Sequence, residues 1–159
     1  MKENLVIGGD SFIGQALAIH LACGSTSRRP GTHQEKKCDV IFDNPTWWAR
    51  KVFMCAAVKG YGTCERDPDA YRVNVDAPTR IARAMPPESK FIFLSSKSVR
   101  TALHTNYAMM KALAEQGLLA IGNTVVIRLP RVTQDNLSNV VSEIIRLSEE
   151  SVGLYEITS

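Results

Sequence analysis

Short apolar runs alternate with amphipathic segments along the whole sequence, and that alternation most limits what the chain can fold into. Leu5-Val6-Ile7 is a brief apolar run closed by Gly8-Gly9, and it reads as a buried strand. Phe12, Ile13, Ala16, Leu17, Ile19, His20 and Leu21 then recur at helical spacing, so strand, tight turn and helix follow one another. Ser25-Thr26-Ser27 predicts a second short strand that stops before Pro30. Asp39–Asp43 (DVIFD) and Val52–Ala57 (VFMCAA) predict two more, on either side of a segment carrying Trp47 and Trp48. A helix is expected from Asp67-Pro68 through Ala84, because an aspartate before a proline suits N-cap and first-turn positions. Phe91–Leu94 reads as a fifth strand and ends in Ser95-Ser96. A helix over Thr105–Leu119, a strand over Thr124–Leu129 closed by Pro130, a helix over Leu137–Glu150 and a strand over Leu154–Thr158 complete the series.

Apolar strands separated by amphipathic helices predict a parallel sheet covered on both faces. The expected fold class is α/β: a doubly wound parallel sheet in a Rossmann-like three-layer sandwich. No repeat, linker or composition break divides residues 1–159, so a single domain is expected, about the length at which a real core forms. The net charge is +3 and the basic residues are scattered. That lacks the clustered footprint of a nucleic-acid binder, while it suits small anionic ligands. Cys23, Cys38, Cys55 and Cys64 show neither CxxC pairing nor zinc-ligand spacing, which predicts free thiols, no metal site and a reducing compartment. Lys2 followed by an apolar stretch has the outline of an export signal, but Glu3, Asp10, Gln15 and His20 interrupt it. No run of the ~18 apolar residues that a membrane span requires is present. A cytoplasmic protein without membrane or nucleic-acid partners is expected.

Three places carry chemistry. In a sheet of this kind ligands sit beyond the carboxyl ends of the strands. Gly8-Gly9-Asp10-Ser11-Phe12-Ile13-Gly14 lies there, where glycines allow a tight turn and close packing and the N–H groups of a helix start face an anion such as a pyrophosphate. A glycine-rich turn before a helix is also a common structural connection. Tyr107 and Lys111 are four apart on a helix and share a face. A nearby ammonium stabilises phenolate, which predicts a Tyr107 acid/base working well below its ordinary pKa of ~10. Ser95-Ser96, at a strand end, offers a hydroxyl to a substrate carbonyl oxygen. Each signal alone is weak. Their order along the chain is the one a single active site requires.

These residues resemble the short-chain dehydrogenase/reductase superfamily, in particular its extended branch of sugar-nucleotide epimerases, dehydratases and reductases. Gly8 to Gly14 is similar to that branch's GxxGxxG loop, with Ser11 in place of the middle glycine. VFMCAAVKGYGTCERDPDAYRVNVDAPTRIARA (52–84) resembles the fourth strand and following helix, most like the dehydrorhamnose reductase group. FIFLSSKSV (91–99) resembles the serine-bearing strand and, aligned on Val99, puts the catalytic role on Ser96; VIRLPRV (126–132) and GLYEIT (153–158) are similar to later segments. The resemblance implies an NAD(P)-binding domain with Ser96, Tyr107 and Lys111 catalytic, Lys111 also holding the nicotinamide ribose. It implies cofactor contacts from Gly8, Asp10, Ser11, Phe12, Ile13 and Gly14, from Asp43 at the adenine, and from Cys55, Ala56 and Ala57. Asn74, in the family's VN position, is expected to be structural. Ser27, at the end of the second strand, is expected to contact the cofactor too, and Arg28 and Arg29 follow that strand, where an acidic residue favours NAD and arginine holds a 2′-phosphate, so NADP is preferred over NAD.

The sequence also departs from the family. Ten residues separate Ser96 from Tyr107, fewer than is usual there, and the last helix follows Pro130 almost at once, where the family inserts its substrate lobe. Lys97, Arg100, His104 and Arg131 offer positive charge to an anionic substrate such as a nucleotide-sugar, or form an exposed rim. The functional expectation is an oxidoreductase or epimerase acting on a sugar-nucleotide or other carbonyl compound. The alternative is a non-catalytic NADP(H)-binding regulatory or partner-docking module. A homodimer through the helix of Tyr107 is expected, since Met109, Met110, Leu113 and Leu118 lie on it.

Overall fold

A computed structural model of the chain describes residues 1–28, 36–46 and 48–158. Its strands are β1 (Lys2–Ile7), β2 (Gly24–Ser27), β3 (Lys36–Lys37), β4 (Ala49–Met54), β5 (Lys90–Ser96), β6 (Thr124–Leu129) and β7 (Gly153–Glu156). Its helices are α1 (Phe12–Leu21), α2 (Tyr61–Arg66), α3 (Ala77–Ala84), α4 (Ser98–Thr101), α5 (Asn106–Ile121) and α6 (Leu137–Leu147), with a π-helical turn at Arg72–Asp76 leading into α3. The strands form one sheet in the order β3-β2-β1-β4-β5-β6-β7, every neighbouring pair parallel. The chain winds outward from β1 to β3, then returns to the other side of β1 with β4. The sheet therefore switches direction between β1 and β4, and all strands end on one edge.

Alternate residues of the central strands β1, β4, β5 and β6 feed two cores. Leu5, Ile7, Val52, Met54, Phe91 and Phe93 pack with Ile81 and Ala82 of α3 and with Ala114 and Leu118 of α5. Val6, Phe53, Ile92, Leu94 and Ile127 pack on the opposite face with Ile13 and Leu17 of α1 and with Val140 and Ile144 of α6. Both faces being covered explains why the strands read as unbroken apolar runs. The expected doubly wound sandwich is the one observed.

Local differences have polar causes. Asp39–Asp43 forms a turn, and the third strand is the short Lys36–Lys37 segment before it. The Asp39 carboxylate accepts the Ile41 N–H, the Asp43 carboxylate accepts the Asp39 N–H, and the Arg80 guanidinium donates to the carbonyls of Val40 and Asp43. Side chains thus satisfy a backbone that its composition suits to a ladder. Asp67 caps the end of α2 and turns the chain by accepting the Asp69 N–H at 2.8 Å, so the helical run toward Ala84 begins a few residues later than expected. Cys55, Ala56 and Ala57 continue past the last residue of β4 toward the ligand edge.

Candidate active site

The loop after β1 is closed by its own serine. Ser11 caps α1: its hydroxyl accepts the Gly14 N–H at 3.1 Å and donates to the Gly8 carbonyl at 2.8 Å. The residue that departs from the glycine pattern therefore braces the turn. Gly8 has φ +87°, and a Cβ on it would stand 2.5 Å from the Ala56 nitrogen. A Cβ on Gly14 would stand 2.1 Å from the Gly8 carbonyl oxygen and 3.1 Å from the Cys55 Cβ. Both positions require glycine, because β1, the start of α1 and the end of β4 approach each other too closely for a side chain. Phe12 and Ile13, whose N–H groups open α1, face the adjoining cavity, as do Cys55 and Ala57. A glycine cradle ending in free-running helix N–H groups at the switch of the sheet fits a dinucleotide's pyrophosphate.

Ser96, Tyr107 and Lys111 converge on the same cavity, which measures about 730 Å³. Ser96 ends β5, and α4 occupies the short link that follows, so ten intervening residues suffice to bring α5 back over the strand. Thr105 caps α5, accepting the Ala108 N–H at 3.3 Å, and Tyr107 then falls in its first turn. The Tyr107 phenol and the Ser96 hydroxyl face the same cavity, close enough for Ser96 to act on the ionisation of the phenol. One helical turn later, the Lys111 ammonium is buried, donates to the Leu94 carbonyl at 2.9 Å and sits 4.8 Å from the centre of the Phe93 ring. It is 5.9 Å from the centre of the Tyr107 ring.

The electrostatics reverse one expectation. Burial pushes the Tyr107 phenol above its ordinary value, with Cys64 and Tyr61 adding to the rise and the Ser96 hydrogen bond opposing it. A phenol depressed by Lys111 is not what the fold produces, because the ammonium is turned into the Leu94 carbonyl. Lys111 itself is pulled down to about 8, mainly by burial and secondarily by Lys59. Both groups are thereby biased toward their neutral forms.

Other expected contacts are spread more widely. Lys97 and Arg131 line the cavity, whereas the Arg100 guanidinium is held by Glu156 through bonds of 2.9 and 2.7 Å, and His104 is exposed. Ser27 ends β2, Arg28 follows it, and Asp43 lies in its turn, all on the β2–β3 side and outside the cavity lining; Asp10 is exposed at the loop tip. Arg29 lies outside the described residues. Asn74 sits in the π-helical turn and clamps the loop beyond β4, accepting the Val58 N–H at 2.8 Å and donating to the Val58 carbonyl at 2.9 Å. Its amide is thus engaged with the backbone of that loop.

Sequence reasoning missed three participants. Tyr61, at the start of α2, lines the cavity and meets Tyr107 edge-on, with ring centres 5.8 Å apart. The glycines around it, Gly60 and Gly62, hid the helix. Glu115, one turn beyond Lys111, is buried, accepts the Ser95 hydroxyl and is gripped by Arg128 through bonds of 3.0 and 2.8 Å. Its i+4 spacing from Lys111 was the available signal. Ser98 reaches the Ser96 oxygen and also borders the cavity.

No family model and no curated protein matches this sequence. Solved structures do match the fold. An L-threonine dehydrogenase from Clostridium difficile superposes with a TM-score of 0.79 at 16% identity, over 100% of this chain and 76% of that one. An NAD-dependent NDP-hexosamine 5,6-dehydratase of tunicamycin biosynthesis, TunA, gives 0.76 at 16% identity, again over 100% and 76%. A UDP-glucuronic acid 4-epimerase from Bacillus cereus, solved in complex with NAD, gives 0.59 at 18% identity over 80% of this chain and 56% of that one. The chain thus has the Rossmann-like fold of these dehydrogenases, dehydratases and epimerases.

Proposed function

We propose that this chain is an NAD(P)-dependent oxidoreductase or epimerase of the short-chain dehydrogenase type, acting on a sugar-nucleotide or other carbonyl substrate. The observation that carries the reading is the meeting of Ser96, Tyr107 and Lys111 in one cavity with the opening turn of α1. The dinucleotide, when bound, supplies or takes up the hydride. Phe12 and Ile13 hold its pyrophosphate through their N–H groups, with Gly8 and Gly14 keeping the cradle open, and Lys111 holds the nicotinamide ribose. Ser96 hydrogen-bonds the substrate oxygen and Tyr107 exchanges a proton with it.

Finer points belong to the same proposal. NADP(H) is the preferred coenzyme, on the strength of Arg28 just beyond β2 and of Arg29 beside it in sequence. The substrate is anionic: Lys59, Lys97, Lys111 and Arg131 line the cavity, and no carboxylate does among the described residues. The protein works in the cytoplasm, where its free thiols stay reduced. It forms a homodimer through α5, on which Met109 and Leu113 are exposed while Leu118 belongs to the core.

Calorimetric titration with NAD, NADH, NADP and NADPH tests the coenzyme. Absence of binding at millimolar concentration would sink the reading. Turnover is then sought across carbonyl compounds and nucleotide-sugars by following nicotinamide absorbance, and Tyr107→Phe is expected to lower it by roughly 10²–10⁴-fold. The short link Pro130–Asn136 between β6 and α6 supports a second reading, a non-catalytic NADP(H)-binding module, since it adds little to enclose a large substrate. Tight coenzyme binding without hydride transfer over the whole panel selects that reading.

A further inference from the structure

Ser98 has no role in the chemistry proposed above, yet it decides which way the hydrogen bonds around Ser96 run. It lies buried at the first turn of α4, just past β5, and it engages Ser96 twice. Its backbone N–H donates to the Ser96 oxygen at 3.1 Å, and its hydroxyl donates to the same oxygen at 2.8 Å. The geometry around it is fixed from below. The Lys97 N–H donates to the Leu129 carbonyl at 3.0 Å, extending the β5–β6 pairing by one residue, and the buried Val99 anchors the turn that follows.

A serine hydroxyl has one proton to give and two lone pairs with which to accept. Ser98 fills both lone pairs of Ser96. The proton of Ser96 is then all that remains to it, and the oxygens open to it are those of the cavity it borders, the Tyr107 phenol or a substrate oxygen. We infer that Ser98 is a positioning residue that makes Ser96 a one-way donor, so that Ser96 gives a hydrogen bond into the cavity and does not take the proton of Tyr107. The consequence for the site is directional. A Ser96 free to rotate would compete with the substrate for the phenolic proton, and a Ser96 held by Ser98 leaves that proton aimed at the cavity. Ser96, Ser98 and Tyr107 all border the cavity, as the inference requires. The inference deepens the proposed function and rests on it.

The test reads Tyr107 directly and needs neither substrate nor coenzyme. The four tyrosines of the full chain are replaced by 3-fluorotyrosine, which brings phenol ionisation into a milder pH range, and followed by fluorine NMR. Tyr107→Phe assigns the Tyr107 resonance. The ionisable groups facing Tyr107 are Tyr61 and Cys64 from α2 and Lys111 on α5, with Lys59 acting on Lys111 from the loop beyond β4, and none is altered by the variants. Ser96→Ala is expected to raise the Tyr107 midpoint by about one to two units, the worth of one hydrogen bond to the charged form, and Ser98→Ala by about half a unit to one unit, because a freed Ser96 can accept the proton of the neutral phenol instead. Ser98→Thr, which keeps the hydroxyl, is expected to keep the midpoint of the parent.

An unchanged midpoint in Ser96→Ala or in Ser98→Ala overturns the inference, as does a Ser98→Thr shift equal to that of Ser98→Ala. Should Ser98→Ala fail to fold, Ser98→Gly removes the same hydroxyl and is read by the same criterion. Failure of the proposed function shows separately, as absent coenzyme binding in the calorimeter with the Tyr107 shifts intact.

Discussion

Replacing Lys111 by methionine is expected to make the protein more stable at neutral pH while removing a group the site needs. Lys111 is 5% exposed, and burial brings its pKa from 10.5 to about 8. At ~1.4 kcal/mol per unit, a drop of about two and a half units means the native state disfavours the charged ammonium by about 3 kcal/mol. The unfolded chain keeps this proton up to about pH 10.5, and the native chain releases it from about pH 8. Between those values the unfolded state binds more protons, so stability rises with pH; below about 8 the penalty is present in full. Methionine matches the stem of lysine and removes the charge, but it leaves the Leu94 carbonyl without its 2.9 Å partner, a loss of ~1–2 kcal/mol. The net expectation at pH 7 is a gain of about 1–2 kcal/mol, which moves a urea midpoint up by roughly half to one molar. Unfolding curves at pH 7 and pH 9.5, followed by tryptophan fluorescence, measure this. The advantage of the variant should shrink at the higher pH, where the parent sheds its penalty. Burial raises the cysteine thiols in parent and variant alike, Cys55 to about 12, so the difference between the two proteins isolates the lysine. A methionine variant that is less stable at both pH values, with a pH profile parallel to the parent's, would refute the reasoning.

Two further substitutions probe the supports of the site. Gly14→Ala places a Cβ 2.1 Å from the Gly8 carbonyl oxygen and 2.7 Å from the Ser11 hydroxyl. Backbone must move to admit it, so a loss of about 3 kcal/mol in thermal unfolding is expected together with at least a tenfold loss of coenzyme affinity; parental values of both would show that the loop is not packed as described. Glu115→Ala leaves the Arg128 guanidinium and the Ser95 hydroxyl without their buried acceptor and is expected to cost about 3–5 kcal/mol in urea. Adding Arg128→Met should recover at least ~1 kcal/mol of that loss. Strict additivity of the two changes would mean the pair does not interact.

The central strands of the sheet were legible because they are buried on both faces, which leaves their sequences continuously apolar. Leu5-Val6-Ile7 and Phe91-Ile92-Phe93-Leu94 carry that signal without interruption, and each supplies both cores. The candidate site was legible where chemistry imposes spacing: Tyr107 and Lys111 had to share a helix face, and Ser96 had to end a strand. What escaped is what spacing does not encode. DVIFD has the composition of a strand, and only Arg80, far along the chain, shows where its carbonyls turn. The role of Ser98 depends on which atom donates, and a pair of serines two apart says nothing of that. The depressed phenol predicted for Tyr107 failed for a similar reason. Helical spacing brings Lys111 near the ring, but the Leu94 carbonyl, contributed by a strand, takes the ammonium's hydrogen bond.

That last difference bears on the direction of the chemistry. A tyrosine whose pKa is lowered by a neighbouring ammonium is ready to accept a proton near neutral pH, whereas one raised by burial keeps its proton and is ready to give it. Tyr107 is raised and Lys111 is lowered to about 8, so on increasing pH the lysine gives up its charge before the tyrosine ionises. Near neutrality the site holds a protonated phenol beside a buried ammonium, and the Ser98–Ser96 pair directs the phenol's proton toward the cavity. Those are the conditions for protonating an oxygen on which negative charge develops, as when a carbonyl is reduced. Taking a proton from an alcohol, the reverse direction, requires the phenol to ionise first against the burial that raises its pKa. Under the proposed function, a substrate carrying a carbonyl group is therefore the first to offer, because Tyr107 begins with the proton that reduction consumes.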